Sequence, residues 1–286
     1  MSEILGRVAA GTAVRPTRLT RDSDDELAVH PDPTAPYLVT AHIPADGSEP
    51  DTIERVERAL WHLQAFGLRP VGQLRVRTVS DDWTDAWREH YVPQRIGRLL
   101  IVPSWVDAQP EADAIAVRMD PGMAFGTGLH PTTRGCLLLL QELDPMPERI
   151  LDVGCGSGIL SLAALRLGSR SAVAIDTDPL AVDATRANAS LNGLAGRIEA
   201  RHGSVPDVAG ERFPLVLANL VAALLIDLAP RLAAHTVSGG ALIASGIVAE
   251  RGDEVRAALD AAGYAAERAI DDGDWLSLQL RRMDSA

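Results

Sequence analysis

The chain has 286 residues, 47% of them hydrophobic, and a formal net charge of −12. It is long enough to bury two cores and too acidic for a general affinity for nucleic acid or anionic membrane, either of which needs a basic surface. Its two cysteines, Cys136 and Cys155, are too few for a disulfide framework, and no early apolar run resembles a signal peptide or a membrane span, so a cytoplasmic location is expected.

Residues 1–36 combine an apolar patch (ILGRVAAG), a polar run (RPTRLTRDSDDE) and three prolines at 31, 33 and 36, so little of this stretch is expected in a core. Residues 37–43 (YLVTAHI) alternate as a strand. Residues 51–66 set Ile53, Val56, Leu60 and Leu63 at helical spacing before Gly67, and residues 74–79 alternate again. Strand, helix, strand makes a small α+β unit. After it, DDWTDAWREHY places Trp83, Trp87 and Tyr91 four residues apart on one helix face, a stripe suited to packing against a domain rather than to a ligand. Residues 120–133 (DPGMAFGTGLHPTT) hold Gly122, Gly126 and Gly128, which predict an irregular loop of the kind used for lids and binding loops.

From residue 149 strands and helices alternate. RILDV, SAVAID, RIEARHG, LVLANL and GALIASG read as strands, with helices between them, and the tail folds into two strands joined at Asp-Asp-Gly-Asp. Strands separated by helices predict an α/β, doubly wound and mostly parallel sheet, closed by an antiparallel hairpin. Such sheets bind ligands beyond the carboxyl ends of their strands.

The first of those ends carries Asp152, Gly154, Gly156 and Gly158 as D-x-G-x-G-x-G. A dinucleotide site would instead use G-x-G-x-x-G, with pyrophosphate on the following helix. With Asp152 placed to meet an ammonium, the pattern favours a cationic, zwitterionic cofactor; the competing reading is a plain tight turn. The next strand ends in Asp176, at the spacing where a carboxylate takes ribose hydroxyls, or alternatively caps the helix before Pro179. A later strand ends in Asn219, whose amide either orients a ligand amine or caps the helix after it.

DVGCGSG, AID and LANL together resemble the class I S-adenosylmethionine-dependent methyltransferases. DPGMAFGTGLHPTT, preceded by DDWTDAWREHYVP and IVPSW, is more specific and resembles the PrmA family, methyltransferases of large-subunit ribosomal protein eleven. The resemblance implies S-adenosyl-L-methionine as cofactor, a basic ribosomal protein as substrate, and a seven-stranded class I methyltransferase sheet behind a small ferredoxin-like domain. It implies a substrate-recognition domain over residues 1–80, a linker helix and connection over 81–105, and the methyltransferase domain over 106–286. SEILGRVAAG matches only the last turns of the family's first helix, so the recognition domain is expected to lack its first strand and part of that helix, the true start lying upstream or the segment being lost. The implied cofactor contacts are Thr133, Gly154, Asp176 and Asn219, with Asp152, Gly156, Phe125 and Gly126 beside them, and Asn219 is the implied catalytic residue. The loop over 120–133 is then expected to fold over the cofactor.

Methyl transfer to an amine asks for a neutral nucleophile in line with the methyl group, and a lysine ammonium, with a pKa of about 10.4, has no lone pair. Desolvation lowers that value, and acceptors such as Asn219 point the lone pair. His130 is read as holding its loop by hydrogen bonds rather than as a base, and no histidine pair has metal-site spacing. Two alternatives stand beside this reading. A small-molecule methyltransferase has less use for the unit over 37–79, and a non-catalytic docking protein has none for the cofactor motifs.

Overall fold

The computed structural model describes residues 12–16, 19–21, 29–31, 37–41, 50, 52–54, 56–57, 74–76, 92–107, 113–120, 130–208 and 210–284. The chain divides into two compact units, Met1–Trp83 and Thr84–Ala286. In the first, β1 (Thr12–Pro16) pairs antiparallel with β4 (Tyr37–Ala41), and β2 (Leu19–Arg21) pairs antiparallel with β3 (Val29–Pro31). The opening stretch therefore holds three short strands, which the sequence reading does not assign. Strand pairing is made by the backbone, and polar side chains are compatible with it wherever one face meets water. Residues 52–54 and 56–57 are helical, with Thr52 and Val56 buried, where helical spacing is read in the sequence. Residues 74–76 are not in a strand, and Leu74 and Val76 are 38% and 58% exposed. Alternation there sorts side chains into two faces but supplies no backbone partner. The rest of that expected strand, and Trp83, Trp87 and Tyr91, lie outside the described residues.

The second unit contains a three-stranded sheet in the order β5 (Gln94–Ile96), β6 (Leu99–Pro103), β7 (Ile115–Met119). β5 and β6 are antiparallel across a turn at Gly97, whose φ of 57° suits glycine, and β6 and β7 are parallel. Two of these strands occupy residues expected to form a connection. Helix α1 (Pro131–Gln141) follows, so the turn-rich motif ends at His130 and its last three residues, Pro131, Thr132 and Thr133, are helical rather than loop.

The main sheet has seven strands: β8 (Arg149–Val153), β9 (Ser171–Asp176), β10 (Ile198–His202), β11 (Phe213–Asn219), β12 (Thr236–Val248), β13 (Tyr264–Asp272) and β14 (Trp275–Arg282). Their order is β10-β9-β8-β11-β12-β14-β13, parallel from β10 to β12, with β14 antiparallel to both its neighbours. This is the doubly wound sheet with a terminal hairpin that the sequence predicts. The connecting helices are α2 (Ile159–Leu167), α3 (Pro179–Leu191), α4 (Ala222–His235) and α5 (Gly252–Ala261).

Period-two alternation divides the core between the two faces of the sheet. Leu151, Val216, Ala218, Leu242 and Ala244 pack with Leu225, Leu232, Val255 and Leu259 of α4 and α5. Ile150, Leu215, Leu217, Ala241 and Ile243 point the other way, onto α1, α2 and the β5–β7 sheet. Both faces are covered, so ligand access falls to the strand ends. The chain runs outward from β8 through β9 to β10, then returns to β11 on the other side of β8. The crevice at the carboxyl ends of β8 and β11 is the topological switch point.

Candidate functional site

Strand register sets three of the sequence-predicted residues at one level. Val153 is opposite Ile175 on one side and Ala218 on the other, so the next residue of each strand, Gly154, Asp176 and Asn219, lies together along the open edge. Above β8 the chain turns through Gly154, Gly156 and Gly158 at φ of 72°, 54° and 81°, a left-handed region costly for other residues. The amides of Gly154 and Cys155 both donate to the Ile175 carbonyl, at 2.9 and 3.1 Å, folding the turn back over β9. A Cβ on Gly154 would come within 2.5 Å of Leu220 Cδ2, and one on Gly158 within 2.9 Å of Thr185 Oγ1.

Asp176 clasps this turn from the side. Its Oδ2 accepts from the Gly156 amide at 3.0 Å and its Oδ1 from the Asp178 amide at 3.0 Å. The cap of α3 is Asp178, whose Oδ1 accepts from Leu180, so Asp176 is left facing the edge. Each carboxylate oxygen has a further lone pair to offer a ligand hydroxyl.

Asp152 sits beneath the same turn, 1% exposed. Its Oδ2 accepts from Ser161, from the amide at 3.1 Å and from the hydroxyl at 2.7 Å. Burial pushes its carboxyl up to about 6, opposed by the Ser161 hydrogen bonds, and the nearby Asp176 charge adds to the rise. Two carboxylates thus stand near the carboxyl ends of β8 and β9, Asp152 buried and Asp176 half-buried. That charge would repel a pyrophosphate and would meet a cation.

Asn219 does not cap α4; the residue at that cap is Val221. Its Nδ2 instead donates to Thr133 Oγ1 at 3.4 Å, joining the end of β11 to the first turn of α1. The Asn219 carbonyl oxygen is left for a hydrogen-bond donor in the crevice. The neighbouring Leu220 amide donates to the Ser245 carbonyl at 2.9 Å, which fixes the turn after β11. His130 caps α1. Its Nδ1 lies 2.8 Å from Thr132 Oγ1 and accepts from the Thr132 amide, while its ring meets Trp275 edge-on at 4.8 Å. Burial holds its pKa below the ordinary histidine value. Phe125 and Gly126 lie outside the described residues. Cys136 and Cys155 are buried thiols pushed up to about 12, which excludes either as a nucleophile at neutral pH.

Three supporting residues escaped the sequence reading. Thr185 and Asn188 on α3 and Asn192 at its C-cap follow one another at i, i+3 and i+7 and are all buried. Thr185 Oγ1 donates to the Gly156 carbonyl at 3.0 Å and Asn188 Nδ2 to the Ser157 carbonyl at 2.9 Å. The available signal was a polar stripe in DATRANASLN at the spacing of a helix's buried face.

A family described as Ribosomal protein L11 methyltransferase (PrmA) matches residues 1–283. A protein named Ribosomal protein L11 methyltransferase from Herpetosiphon aurantiacus is 39% identical over 273 residues, 88% of this chain and 84% of its own length. One of the same name from Chloroflexus aurantiacus is 37% identical over 310 residues, 99% of this chain and 93% of its own. The crystal structure of a ribosomal protein L11 methylase from Lactobacillus delbrueckii subsp. bulgaricus is similar with a TM-score of 0.64 at 34% identity, covering 68% of this chain and 100% of that one.

Proposed function

Since the chain belongs to the family of ribosomal protein L11 methyltransferases (PrmA), we propose that it methylates lysine or N-terminal amines of that ribosomal protein, with Asn219 orienting the amine. The observation that carries this reading is the alignment of Gly154, Asp176 and Asn219 along the edge of the switch-point crevice.

S-adenosylmethionine is the cofactor, and it supplies a methyl group carried on a sulfonium, passed on by in-line displacement. The donor set fits it. Gly154 and Gly156 bring bare backbone to the crevice, Asp176 would offer lone pairs to the ribose hydroxyls, and the buried Asp152 charge beneath the turn would favour a cationic group where it would repel a pyrophosphate. Thr133 holds Asn219, and the family motif assigns Phe125 and Gly126 to the same ligand.

The protein's part in the reaction is positioning. The incoming amine must be neutral, and removal from water lowers its pKa because the charged form loses hydration. The Asn219 carbonyl accepts one amine hydrogen, which turns the lone pair toward the methyl group, and the Thr133 bond holds the amide in that attitude. Neither Asn219 nor His130 needs to remove a proton in the transfer step.

Recognition of the basic ribosomal protein falls to the domain over residues 1–80, joined by residues 81–105 to the methyltransferase domain over 106–286. The acidic chain suits such a protein better than nucleic acid, and a ribosomal substrate fits a cytoplasmic location. Among the described residues no helix is long and apolar enough to cross a membrane.

Single-turnover methylation of the purified ribosomal protein tests the assignment of Asn219. Asn219→Ala is expected to slow the chemical step by about tenfold or more at saturating cofactor, a larger effect than its loss of cofactor affinity. An unchanged rate constant in a variant of wild-type melting temperature removes the orienting role.

A further inference from the structure

Asn188 joins two parts of the site that are distant in sequence. It is 1% exposed, on the inner face of α3. Its Oδ1 accepts from the Asp120 amide at 2.8 Å, and its Nδ2 donates both to the Asp120 carbonyl at 3.1 Å and to the Ser157 carbonyl at 2.9 Å. One amide thus grips both backbone polar groups of Asp120, the residue after β7, and the backbone of the glycine turn.

Asn192, one helical turn further on, does part of the same job. It accepts from the Arg118 amide at 2.9 Å and donates to the Arg118 carbonyl at 2.6 Å and to the Asn188 carbonyl at 2.8 Å. The two asparagines act as a surrogate strand for the free edge of β7. The lengths agree: four helical residues rise about 6.0 Å, and two strand residues about 6.6 Å. Asn192, however, makes no bond to the glycine turn. The pair is a natural control, two asparagines four residues apart, one on α3 and one at its C-cap, of which one reaches the cofactor turn.

We propose that Asn188 is a positioning residue for the cofactor: through the Ser157 carbonyl it fixes the glycine turn relative to Asp120, where the glycine-rich motif begins, whereas Asn192 only stabilises the fold. The inference rests on the reading of residues 154–158 as the cofactor turn. Thr185 supports the same turn from the preceding helical turn through the Gly156 carbonyl, so the turn has two side-chain struts from α3. Loss of either removes one side-chain strut from the turn and lets it shift against Asp176.

Calorimetric titration of S-adenosylhomocysteine into the full-length chain tests this with Asn188→Ala, Asn192→Ala and Asp176→Ala. Both asparagine variants are expected to melt at lower temperature than wild type. Only Asn188→Ala is expected to lose affinity, by about fivefold or more, with Asn192→Ala within about twofold of wild type. Equal affinities for Asn188→Ala and wild type, or equal losses in the two asparagine variants, overturn the proposal. If Asn188→Ala does not fold, Asn188→Ser is titrated in its place, since its hydroxyl is too short to reach Ser157. Wild-type binding by Asp176→Ala overturns the cofactor-turn reading itself. A loss there without a loss at Asn188 overturns the positioning role alone.

Discussion

Burial moves the Asp152 carboxyl from 3.8 to about 6. Between about pH 4 and pH 6 the folded chain keeps a proton that the unfolded chain has released, so this group's contribution to stability falls as pH rises through that window and is flat above it. The fall amounts to roughly 3 kcal/mol. Glu199 and Glu211, held low by the Arg201 guanidinium, act in the opposite sense and lose their stabilisation as pH falls. The expected signature is therefore a difference: the melting temperature of wild type relative to Asp152→Asn declines from about pH 4 to about pH 6. Parallel curves would contradict a carboxyl perturbed by burial. At this scale the sequence points to Asp152, Asp176 and Asn219 because the first stands one residue before the end of β8 and the other two close β9 and β11, and strand ends are where such a sheet binds. It does not reveal that Asp178 rather than Asp176 caps α3, since either acid before Pro179 suits that role. Asn188 and Asn192 stay hidden for a related reason. An asparagine inside a helix reads as a weak helix former facing water, and only the tertiary fold brings β7 to its amide.

Helix α1 lies against β14 with almost no space between them. A Cβ added at Gly135 would fall 2.8 Å from the Ser277 Cβ and closer still to its hydroxyl. Gly135 therefore sets how near Thr133, two residues earlier on the same helix, comes to Asn219. Gly135→Ala is expected to destabilise the protein by about 1–3 kcal/mol, the usual range for overpacking. Adding Ser277→Gly should restore part of the loss, and thermal melts of the two single variants and the double variant measure that coupling. Additive losses would show that the contact does not set the spacing. The sequence conceals α1 because its first turn is Pro-Thr-Thr and a glycine follows, and because its four successive leucines carry no helical period. The β5–β7 sheet is concealed too, since its short apolar runs lie among aromatic and proline residues that read as a connection. From β8 onward each strand is a compact apolar run bounded by glycine or a polar residue, and there the elements are legible.

At the scale of the whole molecule, every described residue assigned to the cofactor belongs to the unit Thr84–Ala286. Removing residues 1–83 is expected to leave S-adenosylhomocysteine affinity within a few-fold of wild type. Methylation of the ribosomal protein at low substrate concentration should fall steeply, because the lost contacts supply its effective concentration at the site. Equal methylation by the truncated and full-length chains would refute the recognition role. A net charge of −12 facing a basic substrate adds a dependence on salt, and activity at subsaturating substrate should decline as ionic strength rises. The change of composition sets the first part of the chain apart from the rest, but the strands β1–β3 are not legible, because nothing in their polar residues marks the backbone pairing. The claim on which the rest depends is that this chain methylates the ribosomal protein named in its family. Intact-mass spectrometry of ribosomal proteins from a strain lacking the gene, beside its parent, tests that claim directly. The expected result is a large-subunit protein eleven lighter by whole methyl groups, restored by the wild-type gene. The same mass in both strains would contradict it.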